Sequence, residues 1–252
     1  MALTFDGVTL DLGRRRVLDR VSVGIAAGRV TAILGPNGAG KTSLLRVAAG
    51  LVQATSGSVA IDGTEVAAMP RDKRAQTIGY LPQQGDVAWN MVARDVTALG
   101  RLPHRAGAAA NATAMAAALA ATDTAALADR RIGELSGGER ARVWLARVLA
   151  GEPNWLLADE PLANLDPAHQ IDMLGRLRDV ALKGAGVVIV LHDLAHAARI
   201  ADDVLLLKAG RVAAFGAAAD VLAPDAVAEV FEIAVRWVEV DGRRVLVPLG
   251  RI

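Results

Sequence analysis

Short apolar runs separated by turn residues mark the first third of the chain. Residues 3–5, 8–12 and 17–25 read as strands, and 58–61 and 64–66, joined by Asp62-Gly63, read as a hairpin. Residues 30–34 are apolar throughout and end at Gly35, the pattern of a buried parallel strand. Residues 42–50 continue with helical spacing through Leu44, Leu45, Val47 and Ala48. Residues 156–158 and 187–191 repeat the buried-strand pattern, with helix-like segments between and after them, so a parallel sheet covered on both faces is expected. Two further hairpins are predicted near the C-terminus, 205–208 with 212–215 and 237–240 with 245–247.

Between residues 86 and 150 the composition shifts to alanine-rich helix formers, interrupted by Gly100, Pro103 and Gly107. Residues 108–121 have high helix propensity but few large side chains, which predicts thin packing at the surface. The stretch reads as a helical subdomain inserted into an α/β core, or more plainly as a helical hairpin without a separate role.

Composition first points elsewhere. The 252 residues are 53% hydrophobic, and the mean hydropathy of +0.33 is high enough to raise a membrane protein. However, 51 residues are alanine and only eight are aromatic, so methyl groups carry the score. A membrane-spanning helix needs about 20 consecutive apolar residues, and no such run occurs. Asp6 and Asp11 stand where a signal peptide needs an apolar core. The absence of cysteine excludes disulfides, thiolate zinc sites and iron–sulfur ligation. A net charge of +1 gives no reason to expect nucleic acid. A soluble cytoplasmic protein is expected.

Three segments carry chemistry. Gly35-Pro-Asn37-Gly38-Ala39-Gly40-Lys41-Thr42 matches G-x-x-x-x-G-K-[ST], after an apolar strand and before a helix. Its glycines let successive N–H groups turn toward phosphate oxygens, and the helix N-terminus adds partial positive charge. Lys41 is expected to reach the outer phosphates and Thr42 to sit on Mg²⁺. Asp159 and Glu160 follow the strand at 156–158, at the end where open α/β sheets bind ligands. Asp159 is suited to hold Mg²⁺ through its water shell. Glu160, projecting the other way along the strand, is suited to polarise an attacking water. Finally, Leu135-Ser136-Gly137-Gly138-Glu139 opens a helix. Ser136 and Glu139 have capping-box spacing, yet two glycines inside the cap weaken a helix while letting its N-terminus approach an anion.

Together these segments resemble the ATP-binding subunit of an ABC transporter. Residues 35–43, ending in Ser43, are similar to the family's Walker A motif, 156–160 to its Walker B with the adjoining glutamate, and 135–139 to its LSGGQ signature with Glu139 in place of Gln. Gln83 resembles the Q-loop glutamine, Ala163-Asn-Leu-Asp166 the D-loop, and His192 the switch histidine. The order matches from about residue 3 to 235. The resemblance implies a P-loop (RecA-like) α/β core with an antiparallel β subdomain and an inserted helical subdomain. It implies one ABC ATPase domain over 1–252: a nucleotide-binding core at 1–85 and 151–220, a helical subdomain at 86–150 and a short extension at 221–252, too short for a large regulatory domain.

It further implies two copies joined head to tail around two Mg²⁺–ATP. Glu160, His192 and Gln83 would be catalytic, and Gln83 would join Thr42 and Asp159 at the metal. Gly35, Asn37, Gly38, Ala39, Gly40, Lys41, Thr42 and Ser43 would bind nucleotide. Ser136, Gly137, Gly138, Glu139 and Asp166 would reach the partner's nucleotide, with the signature helix supplying in trans the charge stabilisation of an arginine finger. Asp166 before Pro167 also reads as a helix N-cap. Leu12 occupies the place where the family often stacks adenine on an aromatic, so one of Arg14, Arg15 and Arg16, or apolar packing, is expected to serve instead.

Val96-Thr-Ala-Leu-Gly100-Arg101-Leu-Pro-His104, Asp166-Pro-Ala-His169-Gln170 and the segment 191–198 resemble ATPases that drive uptake of metal chelates such as ferric siderophore, haem or cobalamin. This implies a peripheral motor on the cytoplasmic face of the membrane, partnered by permease subunits and, indirectly, by a periplasmic or surface binding protein. The alternative is a soluble ABC ATPase in a cytosolic assembly complex of the iron–sulfur scaffold kind.

Overall fold

Alternation along each strand decides which of two cores a side chain enters. In the computed structural model, which describes residues 1–83 and 91–252 apart from the Arg243 side chain, β3 (Val30–Leu34) is buried at every position. Val30, Ala32 and Leu34 point into one core and Ile33 into the other. The same division recurs in β7 (Trp155–Asp159) and β8 (Gly186–Val190). A strand apolar on both faces must be covered on both faces, and it is.

On one side lies the sheet β2–β1–β4–β5, antiparallel throughout. It is built from β1 (Ala2–Leu12), β2 (Arg15–Ala26), β4 (Ser56–Ile61) and β5 (Thr64–Glu65). The two short strands expected at 3–5 and 8–12 are one strand. Its register shifts between Phe5 and Val8, and Gly7 there takes φ +57°, so a bulge bends the strand without ending it. Residues 64–66 do not form a strand to the end: Val66 leaves the ladder in a 3₁₀ turn and is buried. The Asp62-Gly63 turn is as expected, with positive φ at both residues. Helix α1 (Lys41–Ala48) shares this side.

The central sheet has the order β10–β9–β3–β8–β7–β6. Its members β6 (Ile78–Leu81), β7, β8, β3 and β9 (Asp203–Lys208) run parallel, and β10 (Arg211–Ala217) closes one edge antiparallel. The opposite face carries α3 (Ala93–Ala98), α5 (Gly137–Ala150), α6 (Pro167–Leu182), α7 (Leu194–Ile200), α8 (Ala218–Val221) and α9 (Pro224–Phe231), and α4 (Ala108–Ala121) packs on α3 and α5. Helix α2 (Arg71–Thr77) leads into β6. A final antiparallel ribbon, β11 (Ile233–Val240) and β12 (Arg243–Arg251), replaces the shorter hairpin expected there. Only Ala114, Ala118 and Leu119 of α4 are buried, so its alanines do pack thinly. The boundary expected between 85 and 86 lies outside the described residues. Among the described residues no helix is long and apolar enough to cross a membrane.

The strand order positions the site. β3, β8 and β7 are neighbours and parallel, so Gly35, His192 and the pair Asp159–Glu160, which follow or end them, meet at the C-terminal ends of the strands.

Candidate functional site

The glycine-rich loop follows β3. Gly35, Gly38 and Gly40 have φ of +154°, +77° and +100°. At Gly35 a Cβ would overlap the Leu207 carbonyl, and at Gly40 it would lie 2.8 Å from the Val17 carbonyl. Both positions therefore need glycine for close approach as well as for backbone angle. Gly40 is the N-cap of α1, whose first turn carries no acidic residue to offset its positive end. Lys41 is 6% exposed, and its Nζ donates to the carbonyls of Gly35 (2.8 Å) and Pro36 (3.1 Å). Burial lowers the Lys41 pKa, and the nearby charges of Glu160 and Asp159 oppose that shift.

A cleft of about 220 Å³ opens over this loop, lined by Asn37, Gly38, Gly40, Lys41, Thr42 and Ser43, with Glu160 and His192 on one side and Arg15 and Val17 on another. Gly35 and Ala39 do not line it; Ala39 is buried in the core below. Of the arginines near the N-terminus, Arg16 is paired to Asp11 at 3.1 Å while Arg15 lines the cleft, and Leu12 does not.

Asp159 ends β7 and is 2% exposed. Its Oδ1 accepts from the Thr42 hydroxyl at 2.9 Å and its Oδ2 from the Tyr80 hydroxyl at 3.0 Å. Burial raises the Tyr80 pKa, which keeps this hydroxyl a donor. No sequence motif marks Tyr80; its signal is that the chain's single tyrosine stands on a short apolar run, which the fold pairs with the Asp159 strand.

Glu160 does not continue the strand's alternation. Its φ of +49° puts the backbone in the left-handed region, and this turn, rather than pleating, aims the side chain. Its Oε2 accepts from Gln83 Nε2 at 2.6 Å, and its Oε1 lies 2.5 Å from His192 Nε2. Gln83 thus meets the glutamate; no bond joins it to Thr42 or Asp159 among the described contacts. Asp193, next to His192, caps α7 by accepting from the N–H groups of Ala195 and His196 at 2.6 and 3.2 Å.

The signature segment has the capping box its spacing predicts. Ser136 Oγ accepts from Glu139 N at 3.2 Å, and Glu139 Oε2 accepts from Ser136 N at 2.8 Å. The bonds that the Ser136 N–H and hydroxyl make to the Glu139 carboxyl hold it below its usual range. The two glycines differ. At Gly137 a Cβ would find only the Asn164 carbonyl, 3.8 Å away, whereas at Gly138 it would overlap the His169 ring. Asp166 is the N-cap of α6 and accepts from His169 N at 2.9 Å.

The donors fit a hard divalent cation: a hydroxyl and a carboxylate oxygen 2.9 Å apart, beside the open phosphate-type loop. No group of three or more His, Asp or Glu side chains that could cage a metal exists among the described residues. That combination suits magnesium, which takes one or two protein oxygens and completes its shell with water and phosphate.

The stretch 99–104 is tied to the far end of α5. Arg101, 7% exposed, donates to Ala150 O (2.7 Å), Glu152 Oε2 (2.6 Å) and Asn111 Oδ1 (3.0 Å). His104 Nε2 lies 3.0 Å from Gly151 O.

Comparison with known proteins agrees with this geometry. The family model described as ABC transporter matches residues 18–163. A hemin import ATP-binding protein HmuV from Myxococcus xanthus is 42% identical, covering 100% of this chain and 98% of its own. One from Streptomyces coelicolor is 44% identical over 90% of this chain and 81% of its own. A solved structure described as an inward-facing conformation of a metal-chelate type ABC transporter superposes with a TM-score of 0.86 at 25% identity, over 98% of this chain and 97% of that one. A dimeric bacterial ABC transporter cassette gives 0.76 at 26% identity, over 86% and 98%. The chain belongs to the ABC transporter family, as one of its ATP-binding, ATP-hydrolysing subunits.

Proposed function

We propose that this chain is the motor of an importer for haem or a related metal chelate, working as a head-to-tail dimer on the cytoplasmic face of a membrane beneath a separate permease. The observation that carries the reading is the convergence on one cleft of the Lys41 loop, the Thr42–Asp159 pair and a glutamate held by both Gln83 and His192. The substrate class comes from the relatives named for hemin import. Those names do not favour the cytosolic iron–sulfur scaffold alternative. A binding protein outside the membrane would hand the chelate to the permease.

The glycine-rich loop and α1 would bind the phosphates of ATP through backbone N–H groups. Lys41 would leave the Gly35 and Pro36 carbonyls for the outer phosphates. Thr42 and Asp159 would hold magnesium, with Tyr80 orienting the carboxylate and Gln83 joining when it leaves Glu160; the ion would neutralise charge on the phosphates. Glu160 would accept a proton from the attacking water. His192, beside it, would contact the γ-phosphate. The Ser136 hydroxyl, which bonds the Glu139 carboxyl here, would turn its hydrogen to the partner's nucleotide alongside the Gly137 amide. The core at 1–85 and 151–220 would carry one half of each site. The helical part at 86–150 would carry the other half and meet the permease, with Gln83 at the junction and 221–252 as an appendage.

The test is Glu160→Gln, which keeps size and hydrogen bonding but removes the base. ATP hydrolysis should fall by about 10²–10⁴-fold. With ATP the variant should run as a dimer on size exclusion, and expressed with its chromosomal neighbours it should retain a polytopic membrane protein through purification. A monomer with ATP and no membrane protein retained would sink the motor reading.

A further inference from the structure

His169 lies in none of the segments assigned to nucleotide, metal or base, yet it touches two of them. Its backbone N–H and ring Nδ1 both meet Asp166: N at 2.9 Å from Oδ1, and Nδ1 at 2.8 and 2.9 Å from Oδ1 and Oδ2. A carboxylate only accepts, so Nδ1 carries the hydrogen and the rest of the ring is turned away from Asp166. That remainder fills the space a side chain on Gly138 would need, with Cδ2, Nε2 and Cγ all inside contact of a Cβ there. Glycine at 138 is therefore demanded from within the same chain. Gly137, by contrast, faces open space and has no such neighbour.

A cavity of about 290 Å³ borders Gly137 and Arg140 at the start of α5, with Gln83 on one side and Asn164 and Leu165, just before Asp166, on another. Beside that space, the His169 ring is packed against Gly138 and bonded to Asp166.

We propose that His169 is a positioning residue that locks the N-terminus of the signature helix to the Asp166 segment. The two elements that reach the partner's nucleotide then move as one surface. The proposal rests on the head-to-tail reading above and goes beyond it. It assigns Gly138 to an internal contact rather than to the anion, and it makes a histidine that touches no nucleotide control the geometry of two groups that do.

The experiment uses the full chain. His169→Ala should still fold, because α5 remains tied to α6 (Arg142 Nη1 is 3.9 Å from Asp172 Oδ2). It should lose on the order of 10- to 100-fold in kcat through misplacement of the helix end, with KM for ATP unchanged. His169→Asn, whose side-chain amide can replace Nδ1–H but cannot fill the space beside Gly138, should keep the Asp166 contact and still show most of the loss. Asp166→Ala, which also removes the α6 cap and a group proposed to reach the partner's nucleotide, should cost at least as much as His169→Ala, and adding His169→Ala to it should cost less than His169→Ala does alone. Independently, Gly138→Ala should lower Tm by about 4 °C or more from overpacking while His169 is present, and by less than half as much in the His169→Ala background. An equal drop in both backgrounds, or a kcat unchanged in His169→Ala, overturns the proposal. Glu160→Gln distinguishes the underlying reading. If it forms no dimer with ATP, the trans role falls, and the Tm cycle still decides whether His169 is what excludes a side chain at 138.

Discussion

Nε2 of His192 lies 2.5 Å from Oε1 of Glu160. The two come from the ends of adjacent parallel strands, and the left-handed turn at Glu160 brings the carboxylate across. Gln83 holds the other oxygen, so the carboxylate proposed as the base is clamped from both sides. His192→Ala removes one clamp without touching the glycine-rich loop. ATP binding should stay within a fewfold of the parent, while single-turnover hydrolysis should fall by about 10²-fold or more. Unimpaired single-turnover hydrolysis would show that the contact has no part in the chemistry.

Tyr80 reaches Asp159 Oδ2 at 3.0 Å, opposite the Thr42 hydroxyl on Oδ1. A hydroxyl that orients a metal-binding carboxylate commonly contributes 10–100-fold to metal affinity. Tyr80→Phe should therefore raise the magnesium concentration for half-maximal ATPase activity by about tenfold, with the rate at saturating magnesium little changed. A magnesium titration identical to that of the parent would contradict this role.

Much of this was legible in the sequence because it is local. The loop from Gly35 to Thr42 is fixed by glycines and a helix start, and the Ser136–Glu139 cap by spacing alone. The buried runs at β3, β7 and β8 follow from apolar residues on both faces. What was not legible depends on strand order or on single backbone turns. Tyr80 meets Asp159 only because β6 is placed beside β7. Gln83 meets Glu160 only because Glu160 leaves the strand at positive φ. Gly7 bends β1 where a break was expected, since a bulge and a loop share the same glycine signal. The pairing of Gly138 with His169 joins residues 31 positions apart, which no periodicity announces.

Gly100 sits where a Cβ would overlap the Arg147 carbonyl of α5. Its neighbour Arg101 is buried against the last carbonyl of that helix and against Glu152. The stretch thus anchors the end of α5 opposite the signature. Gly100→Ala must push the helix away and should destabilise the chain by about 1–3 kcal/mol. Arg101→Ala strands the Ala150 carbonyl and should cost a similar ~2–3 kcal/mol. Urea unfolding curves measure both, and midpoints unchanged for both variants would refute the anchor.

Asp202 links the starts of β3 and β9. Its Oδ2 accepts from Val30 N at 2.8 Å and from Arg178 Nη1 at 2.5 Å. Burial pushes its pKa up, but the Arg178 bond and the Val30 N–H outweigh it, and the net shift is downward. A carboxyl depressed in the folded state binds fewer protons there than when unfolded. Its contribution is therefore full above the ordinary carboxylate value and disappears as pH falls through the depressed one. Stability should decline on acidification below about pH 4, and Asp202→Asn should show a shallower decline from a lower starting point. Parallel slopes in urea midpoint against pH would rule Asp202 out as a source.

Arg15 is the best-placed planar group for the base of ATP. Arg16 is held by Asp11 and lies 3.7 Å from Asp19, and Leu12 is 52% exposed away from the cleft. Arg15 lines the cleft, with Nη2 3.4 Å from where a Cβ on Gly38 would stand, so its exposed side chain reaches the loop. Stacking of a guanidinium on an aromatic ring at such an exposed site contributes about 0.5–1 kcal/mol, a two- to fivefold effect. Arg15→Ala should raise KM for ATP by about that factor with kcat unchanged, and Arg15→Phe should restore it by offering another flat face. Because the contact is to a ring face and not to its edge, GTP should suffer as ATP does, and pyrimidine nucleotides, with smaller rings, less. KM unchanged in Arg15→Ala would place the base elsewhere, against Val17 on the cleft wall.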